Sequence, residues 1–251
     1  LISKVAHAVE GSALKAADGL VVVSPAMRDV VIGLGVEESR ISQILNYSAR
    51  TIVSVNREQA RSRFGWVADD FVVVHTGNMG AKQDLENVVR AAQSLNGYSR
   101  IKIYLVGHGN QESNLKDLCQ GKKNISVMAA VSDEDYSALL SAADLLLVNE
   151  RTTQMEMSLP SKLTSYLYSE RPVLAAVPRG GATWKFLDGV AELVEAGDPS
   201  ALAKKIEALS GNQERLTKLA ELGYEFAIKH LDPQVGRAKY REWVEELLRS
   251  K

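Results

Sequence analysis

The chain has 251 residues, 45% of them hydrophobic, which is enough to bury a full core and too many for a disordered chain. Thirty basic residues against thirty-one acidic ones leave a formal net charge of -1, so the basic excess with which nucleic-acid binders neutralise phosphates is missing. No apolar run approaches the roughly 18–20 residues that span a bilayer. Cys119, the single cysteine, has no partner for an internal disulfide, so a reducing, cytoplasmic compartment is expected.

In chain order, helical periodicity over Ile2 to Ala16 precedes a short apolar strand, Leu20 to Val23. Ser24-Pro25 opens a short helix, Ile41 to Leu45 reads as a weaker strand, and Asn46 to Arg50 has linker character. Strand-like runs follow at Phe71 to Val74, Ile101 to Val106, Ile125 to Met128, Leu145 to Val148, Pro172 to Val177 and Leu193 to Val194. Helical segments lie between most of them, at Leu85 to Leu95, Asn114 to Cys119, Glu134 to Ala142 and Ser161 to Ser169. Near-continuous apolar strands are covered on both faces. The alternation therefore predicts an α/β fold, a Rossmann-like parallel sheet with helices on both faces.

Helix starts are marked locally. Ser132-Asp133-Glu134-Asp135 fits a capping box, and Asp198-Pro199 and Asp232-Pro233 each place a carboxylate cap before a first-turn proline. From Pro199 on the pattern is purely helical. Tyr240, Trp243, Val244, Leu247 and Leu248 form one apolar stripe that must dock on something.

In an open parallel sheet, ligands bind outside the carboxyl ends of the strands, so the loops leaving each strand are the candidate chemistry. His75-Thr76-Gly77-Asn78-Met79-Gly80-Ala81-Lys82-Gln83 reads as a phosphate cradle or as a glycine turn with a solvated lysine. It has neither Walker A nor G-x-G-x-x-G spacing. Val106-Gly107-His108-Gly109 is a second glycine pair at a strand end, and His108 has no neighbour in sequence to orient it as a base. Before the helix at Ser161, Leu159-Pro160-Ser161-Lys162-Leu163 puts a lysine where the helix dipole disfavours a cation, a penalty that an anionic ligand would reverse. The alternative is an exposed lysine on an ordinary helix. Glu150-Arg151 reads as a pair that contacts ligand hydroxyls or itself at the surface, Tyr166 and Tyr168 as packing residues, and Cys119 as a buried thiol. One cysteine and four scattered histidines have no metal-ligand spacing.

These residues, in this order, resemble the retaining glycosyltransferases of the GT-B fold, in the large bacterial group called family 4 or glycosyl transferases group 1. Ala17-Asp18-Gly19-Leu20-Val21-Val22-Val23-Ser24 is similar to the strand that closes the family's first domain, and Gly77-Asn78 to Lys82 to its first donor-domain loop. Val106-Gly107-His108-Gly109, Ser132 to Leu145, Arg171-Pro172-Val173-Leu174-Ala175 and Ala196-Gly197-Asp198-Pro199 to Leu202 match further family segments. The likeness runs almost end to end. Two glutamates usual around the donor helix are replaced by Met157 and Ser165, with Glu156 one residue away, and the usual arginine of the first loop by Asn78. The segment Pro160-Ser161-Lys162 resembles instead a capsular-polysaccharide and colanic-acid type of transferase.

The resemblance implies donor-diphosphate binding by Gly77, Asn78, Lys82, Ser161 and Lys162, and nucleotide or sugar contacts from Gly107, His108, Leu163 and Ser165. Glu156 is its one candidate for a catalytic carboxylate. It implies no metal and no cofactor, a UDP- or GDP-sugar donor, a glycan or lipid-linked acceptor in polysaccharide biosynthesis, and no nucleic-acid partner. It divides the chain into the remnant of an acceptor domain with its linker (1–48), a donor-binding domain (49–232) and a crossover helix (233–251). The opening Leu1-Ile2-Ser3, with no initiator Met or signal-peptide pattern, then reads as the edge of a piece of a longer enzyme. Contact with the inner membrane face would pass through the absent domain, and this piece alone is not expected to turn over. The rival readings are a nonhydrolysing nucleotide-sugar epimerase of the same architecture and a degenerate, non-catalytic sugar- or partner-binding module.

Overall fold

The computed structural model describes residues 2–47, 52–153 and 159–249. It begins with α1 (Ile2–Ala16), β1 (Leu20–Val22), α2 (Pro25–Gly33) and β2 (Ile41–Gln43). Next come α3 (Arg57–Arg63), β3 (Phe71–Asn78), α4 (Leu85–Ser94), β4 (Ile101–His108), α5 (Glu112–Cys119) and β5 (Ile125–Met128). They are followed by α6 (Asp133–Ala142), β6 (Leu145–Asn149), α7 (Lys162–Tyr168), β7 (Val173–Val177), α8 (Ala182–Leu187) and β8 (Glu192–Glu195). Three helices, α9 (Pro199–Ser210), α10 (Gln213–Leu231) and α11 (Pro233–Arg249), complete the chain.

The expected Rossmann-like fold is present. Six parallel strands run in the order β5-β4-β3-β6-β7-β8, and β1 pairs with β2 in a separate two-stranded parallel sheet. The central strands are apolar on both sides because helices cover both faces, and Val72, Val73 and Val74 are all fully buried. One face packs against α4, α5, α9 and the start of α10, the other against α6, α7 and the end of α10.

Several boundaries differ from the sequence reading for local reasons. Strand β1 stops at Val22 because Ser24 caps α2, its hydroxyl accepting from the Met27 N–H at 3.1 Å. Strands β3 and β4 run past their apolar stretches, to Asn78 and His108, because Gly77 and Gly107 pair across the sheet. Helix α3 lies in a stretch to which the sequence reading assigned no element, started by Asn56, whose side-chain oxygen accepts from the N–H groups of Glu58 and Gln59. The capping box is half formed. Ser132 accepts from the Asp135 N–H at 3.1 Å, but the Asp135 carboxylate accepts from the Ser132 hydroxyl.

The apolar stripe of α11 is divided. A Cβ on Gly19 would lie 2.8 Å from a Leu247 methyl and 3.2 Å from the Trp243 ring, so these two pack on the start of β1. Tyr240, Val244 and Leu248 remain exposed. The boundary expected at residue 48 lies outside the described residues.

At the amino ends of the strands Asp144 holds the sheet to α3. Its carboxylate accepts from Arg61, from Arg57 at 2.6 Å and from the Val72 N–H at 2.6 Å, while Arg61, 1% exposed, also donates to the carbonyls of Ala142, Val67, Ala68 and Asp70. Nothing local in the sequence marks this role, because the cationic partners of Asp144 lie more than 80 positions away. Asp144→Asn keeps an acceptor but removes the charge opposite a buried guanidinium. It is expected to cost about 1–3 kcal/mol, a fall in Tm of about 5 °C for a chain of this size, measurable by calorimetry. An unchanged Tm would contradict the clamp.

Candidate functional site

The strand order reverses between β3 and β6, and ligands of open α/β sheets bind in the crevice at such a switch point. A cavity of about 760 Å³ opens there. The carboxyl ends of β3 (Thr76, Gly77, Asn78) and β4 (Val106, Gly107, His108) form one side. Asp133 and Tyr136 of α6 form another, Pro160 to Lys162 with Thr164 and Ser165 a third, and Tyr47 reaches in from the segment before α3.

Two glycines shape the floor. A Cβ on Gly107 (φ +150°) would sit 1.9 Å from the Gly77 carbonyl oxygen, so the strand ends approach at a distance that no side chain permits. Backbone-to-backbone packing, rather than approach to a ligand, demands glycine at 107. A Cβ on Gly77 would meet the Lys162 side chain at 3.5 Å, an ordinary van der Waals contact, so it is the positive φ of +109° rather than space that favours glycine there.

Lys162 does not reach outward from its helix. Its Nζ lies 3.1 Å from Nε2 of His75, a histidine with no exposed surface on β3. The other ring nitrogen, Nδ1, is 3.0 Å from the Leu147 carbonyl. A carbonyl only accepts, so Nδ1 carries the proton and Nε2 accepts from the lysine. Burial, with the neighbouring Lys162, holds the His75 imidazole well below its ordinary value. Burial also pushes the Lys162 ammonium down to about 7, opposed by the charge of Glu150.

Glu150 is 3% exposed and accepts from the Thr183 hydroxyl at 2.8 Å. It is therefore neither a surface ion pair with Arg151 nor a reach into solvent. Behind the cavity the Tyr166 hydroxyl accepts from the Thr76 N–H at 2.7 Å, and Tyr136 approaches the Thr76 hydroxyl at 3.3 Å. Burial drives the Tyr166 phenol up. Both tyrosines support the strand end.

Of the site residues read from the sequence, Gly77, Asn78, Gly107, His108, Ser161, Lys162 and Ser165 come together around the cavity. Lys82 does not line it. It is exposed on a 3-10 turn, Ala81–Gln83, that the Asn149 side-chain amide holds by donating to the carbonyls of Gln83 and Asp84. Asp84, at φ +42°, then turns the chain into α4. Leu163 points the other way, 1% exposed in the core beside Tyr166. Ser161 adopts helical angles and makes no side-chain cap on α7, a helix of seven residues, so the expected convergence of hydroxyl, amides and dipole is replaced by a side-chain contact of Lys162. Glu156 and Met157 lie outside the described residues. His75, Thr76, Tyr136 and Tyr47 were not singled out. For the first two a cue existed, two polar residues closing an otherwise apolar strand.

The sequence profile of glycosyl transferases group 1 matches residues 56–226. The chain belongs to the glycosyl transferases group 1 family. Among its relatives, WcaI of Escherichia coli (strain K12), whose name assigns it to colanic acid biosynthesis as a glycosyl transferase, is 28% identical over 172 residues, covering 66% of this chain and 42% of that one. EpsD of Bacillus subtilis (strain 168), named as a glycosyltransferase, is 22% identical over 201 residues, covering 78% of this chain and 49% of its own. The chain thus spans half or less of the length of the curated relatives it matches. Similar folds are found in Anabaena Alr3699/HepE in complex with UDP-glucose (TM-score 0.77, 17% identity, 92% of this chain and 64% of that one) and in sucrose-phosphate synthase of Thermosynechococcus elongatus (TM-score 0.79, 17% identity, 99% and 63%). For this group 1 family member the epimerase reading is not favoured. Among the described residues no group of three or more His, Cys, Asp or Glu is placed to hold a metal ion, and no helix is long and apolar enough to cross a membrane.

Proposed function

We propose that this chain is the donor-binding portion of a retaining glycosyltransferase and that the switch-point cavity receives the diphosphate of a UDP- or GDP-sugar. The observation that carries the reading is the convergence of the β3 and β4 ends with Lys162 on one cavity, in a member of the group 1 family. Asn78, His108, Ser161 and Ser165 supply polar groups around the space, and Lys162 supplies the cation. Charge that develops on a departing diphosphate would meet donors already in place, which is where electrostatic stabilisation acts most strongly. Lys82, on its exposed turn, joins the site if the turn swings toward a bound phosphate.

In this reading residues 1–48 belong to an acceptor-side domain, 49–232 bind the donor, and 233–251 form a crossover helix. The exposed half of the α11 stripe supports that assignment, since Tyr240, Val244 and Leu248 would be covered by more of the same enzyme. The acceptor would be a glycan or lipid-linked sugar in polysaccharide biosynthesis, the process named for WcaI. Catalysis would take place at a cytoplasmic membrane face.

A thermal-shift panel of UDP, GDP and their sugars tests the donor assignment. A ligand present at a hundred times its Kd stabilises the folded state by about 2.7 kcal/mol, so a true donor is expected to raise Tm by about 5–10 °C. No shift with any nucleoside diphosphate or nucleotide sugar at millimolar concentration would overturn it.

A further inference from the structure

The contact between Lys162 and His75 is an unusual resting place for a lysine that faces an anion site. The lysine stem is half-buried, and its Nζ is turned inward onto the neutral nitrogen of a fully buried imidazole rather than outward. That imidazole cannot rotate to offer a proton without breaking its bond to Leu147. An ammonium there has a neutral acceptor and a low-dielectric surround, whereas a free amine satisfies the same hydrogen bond with no charge to desolvate.

We propose that His75 is a positioning residue that seats Lys162 where burial keeps it a neutral amine in the free chain, and that binding of a donor diphosphate draws one proton from solvent onto Nζ as the lysine turns from His75 to the phosphates. The inference rests on the donor-site reading above. The bond that forms is N–H on the Nζ lone pair, the proton comes from buffer, and the diphosphate provides the counter-charge. Among the described residues, Glu150 at the end of β6, held by Thr183 of α8, acts on Lys162, and the other ionisable groups that line the cavity or back it are His108 of β4, Asp133 and Tyr136 of α6, Tyr166 of α7, and Tyr47. Glu150 favours the charged lysine and burial opposes it.

The sign follows from the lowered midpoint. Binding needs the protonated lysine, which the free chain populates below about pH 7 and loses above it. Affinity therefore falls as pH rises, by about tenfold between pH 6 and pH 8 for a midpoint near 7. Proton uptake on binding rises over the same range from near zero to near one per ligand.

UDP-glucose and GDP-mannose suit the test, because their diphosphates are diesters that do not titrate in this range. Calorimetric titration of the chain in buffers of different ionisation enthalpy reads proton uptake directly. We expect uptake that grows from pH 6 to pH 8, persists in His108→Gln and disappears in Lys162→Arg, whose guanidinium stays charged. His75→Gln, which keeps an acceptor, should retain the midpoint. His75→Leu should move it to lower pH and weaken binding at pH 7. Uptake that persists in Lys162→Arg, or no uptake at pH 8 despite binding, would overturn the proposal. A second measurement needs no ligand and no variant of His75. The Lys162 Nζ resonance, assigned by its loss in Lys162→Arg, should titrate near pH 7 in the free chain, and a midpoint near 10 would overturn the neutral resting state. A midpoint near 7 with neither nucleotide sugar bound would instead overturn the donor assignment, and the linkage with it.

Discussion

Gly107→Ala is expected to lower Tm by about 10 °C, the largest stability loss predicted for a single methyl group in this chain. The added Cβ would lie 1.9 Å from the Gly77 carbonyl oxygen and 2.9 Å from its carbonyl carbon. Both are backbone atoms of the paired strand and cannot rotate away. The residue also sits at φ +150°, which L side chains rarely adopt. Overpacking and backbone strain each cost about 1–3 kcal/mol, together about 4 kcal/mol, and each kcal/mol is worth about 2–4 °C at this length. Gly97→Ala is the control, since a Cβ there meets nothing within 4 Å. Calorimetry of both variants decides the matter. A Gly107→Ala protein that melts beside the parent would show that the close approach of β3 and β4 does not hold in solution. Parting these strands would also move Gly77, Asn78 and His108, so ligand binding should fail before the fold does.

Lys162→Met should separate binding from stability. Loss of the cation is expected to weaken nucleotide-sugar binding by about 100-fold, near 3 kcal/mol, the scale of a charge-assisted contact to phosphate. Stability should move the other way or stay level. A lysine whose folded midpoint is lowered from 10.5 to about 7 is a net cost to the folded state around neutral pH. The unfolded chain binds more protons between pH 7 and 10.5, so stability conferred by the neutral form grows as pH rises through that window and is absent below it. Methionine fills similar volume without the charge, although it leaves Nε2 of His75 without its donor. Tm is therefore expected to be unchanged or a few degrees higher, and the parent's pH dependence of stability above pH 7 should flatten. A variant that loses binding only because it unfolds would refute this account of Lys162.

Much of the architecture was legible in the chain itself. Runs such as Leu145 to Val148 are too apolar for anything but a doubly covered strand, and Ser24-Pro25 or Asp198-Pro199 mark helix starts through hydrogen bonds within a few residues. The glycine pairs at 77 and 80 and at 107 and 109 marked the two loops as candidate chemistry, but not that Gly107 packs against the backbone of Gly77. Helix α3 was missed because its cap, Asn56, serves a short polar segment with little apolar periodicity. Lys82 and Leu163 were assigned to the ligand by position in a motif. The sequence carries no record of the Asn149 contacts that hold the Lys82 turn aside, nor of the rotation of α7 that sends Leu163 into the core.

Local chemistry alone, then, determined the parallel sheet, the helix caps, the family likeness and the loops where chemistry could lie, since each depends on residues within a turn or a strand of one another. The state of the lysine was decided by tertiary structure. His75 and Lys162 are 87 positions apart, and Thr183, whose hydroxyl donates to Glu150, lies 33 positions beyond it. Whether an amine is a solvated cation or a buried neutral base depends on which atoms surround it, and the register of β3 against β6 and the seat of α7 set those atoms.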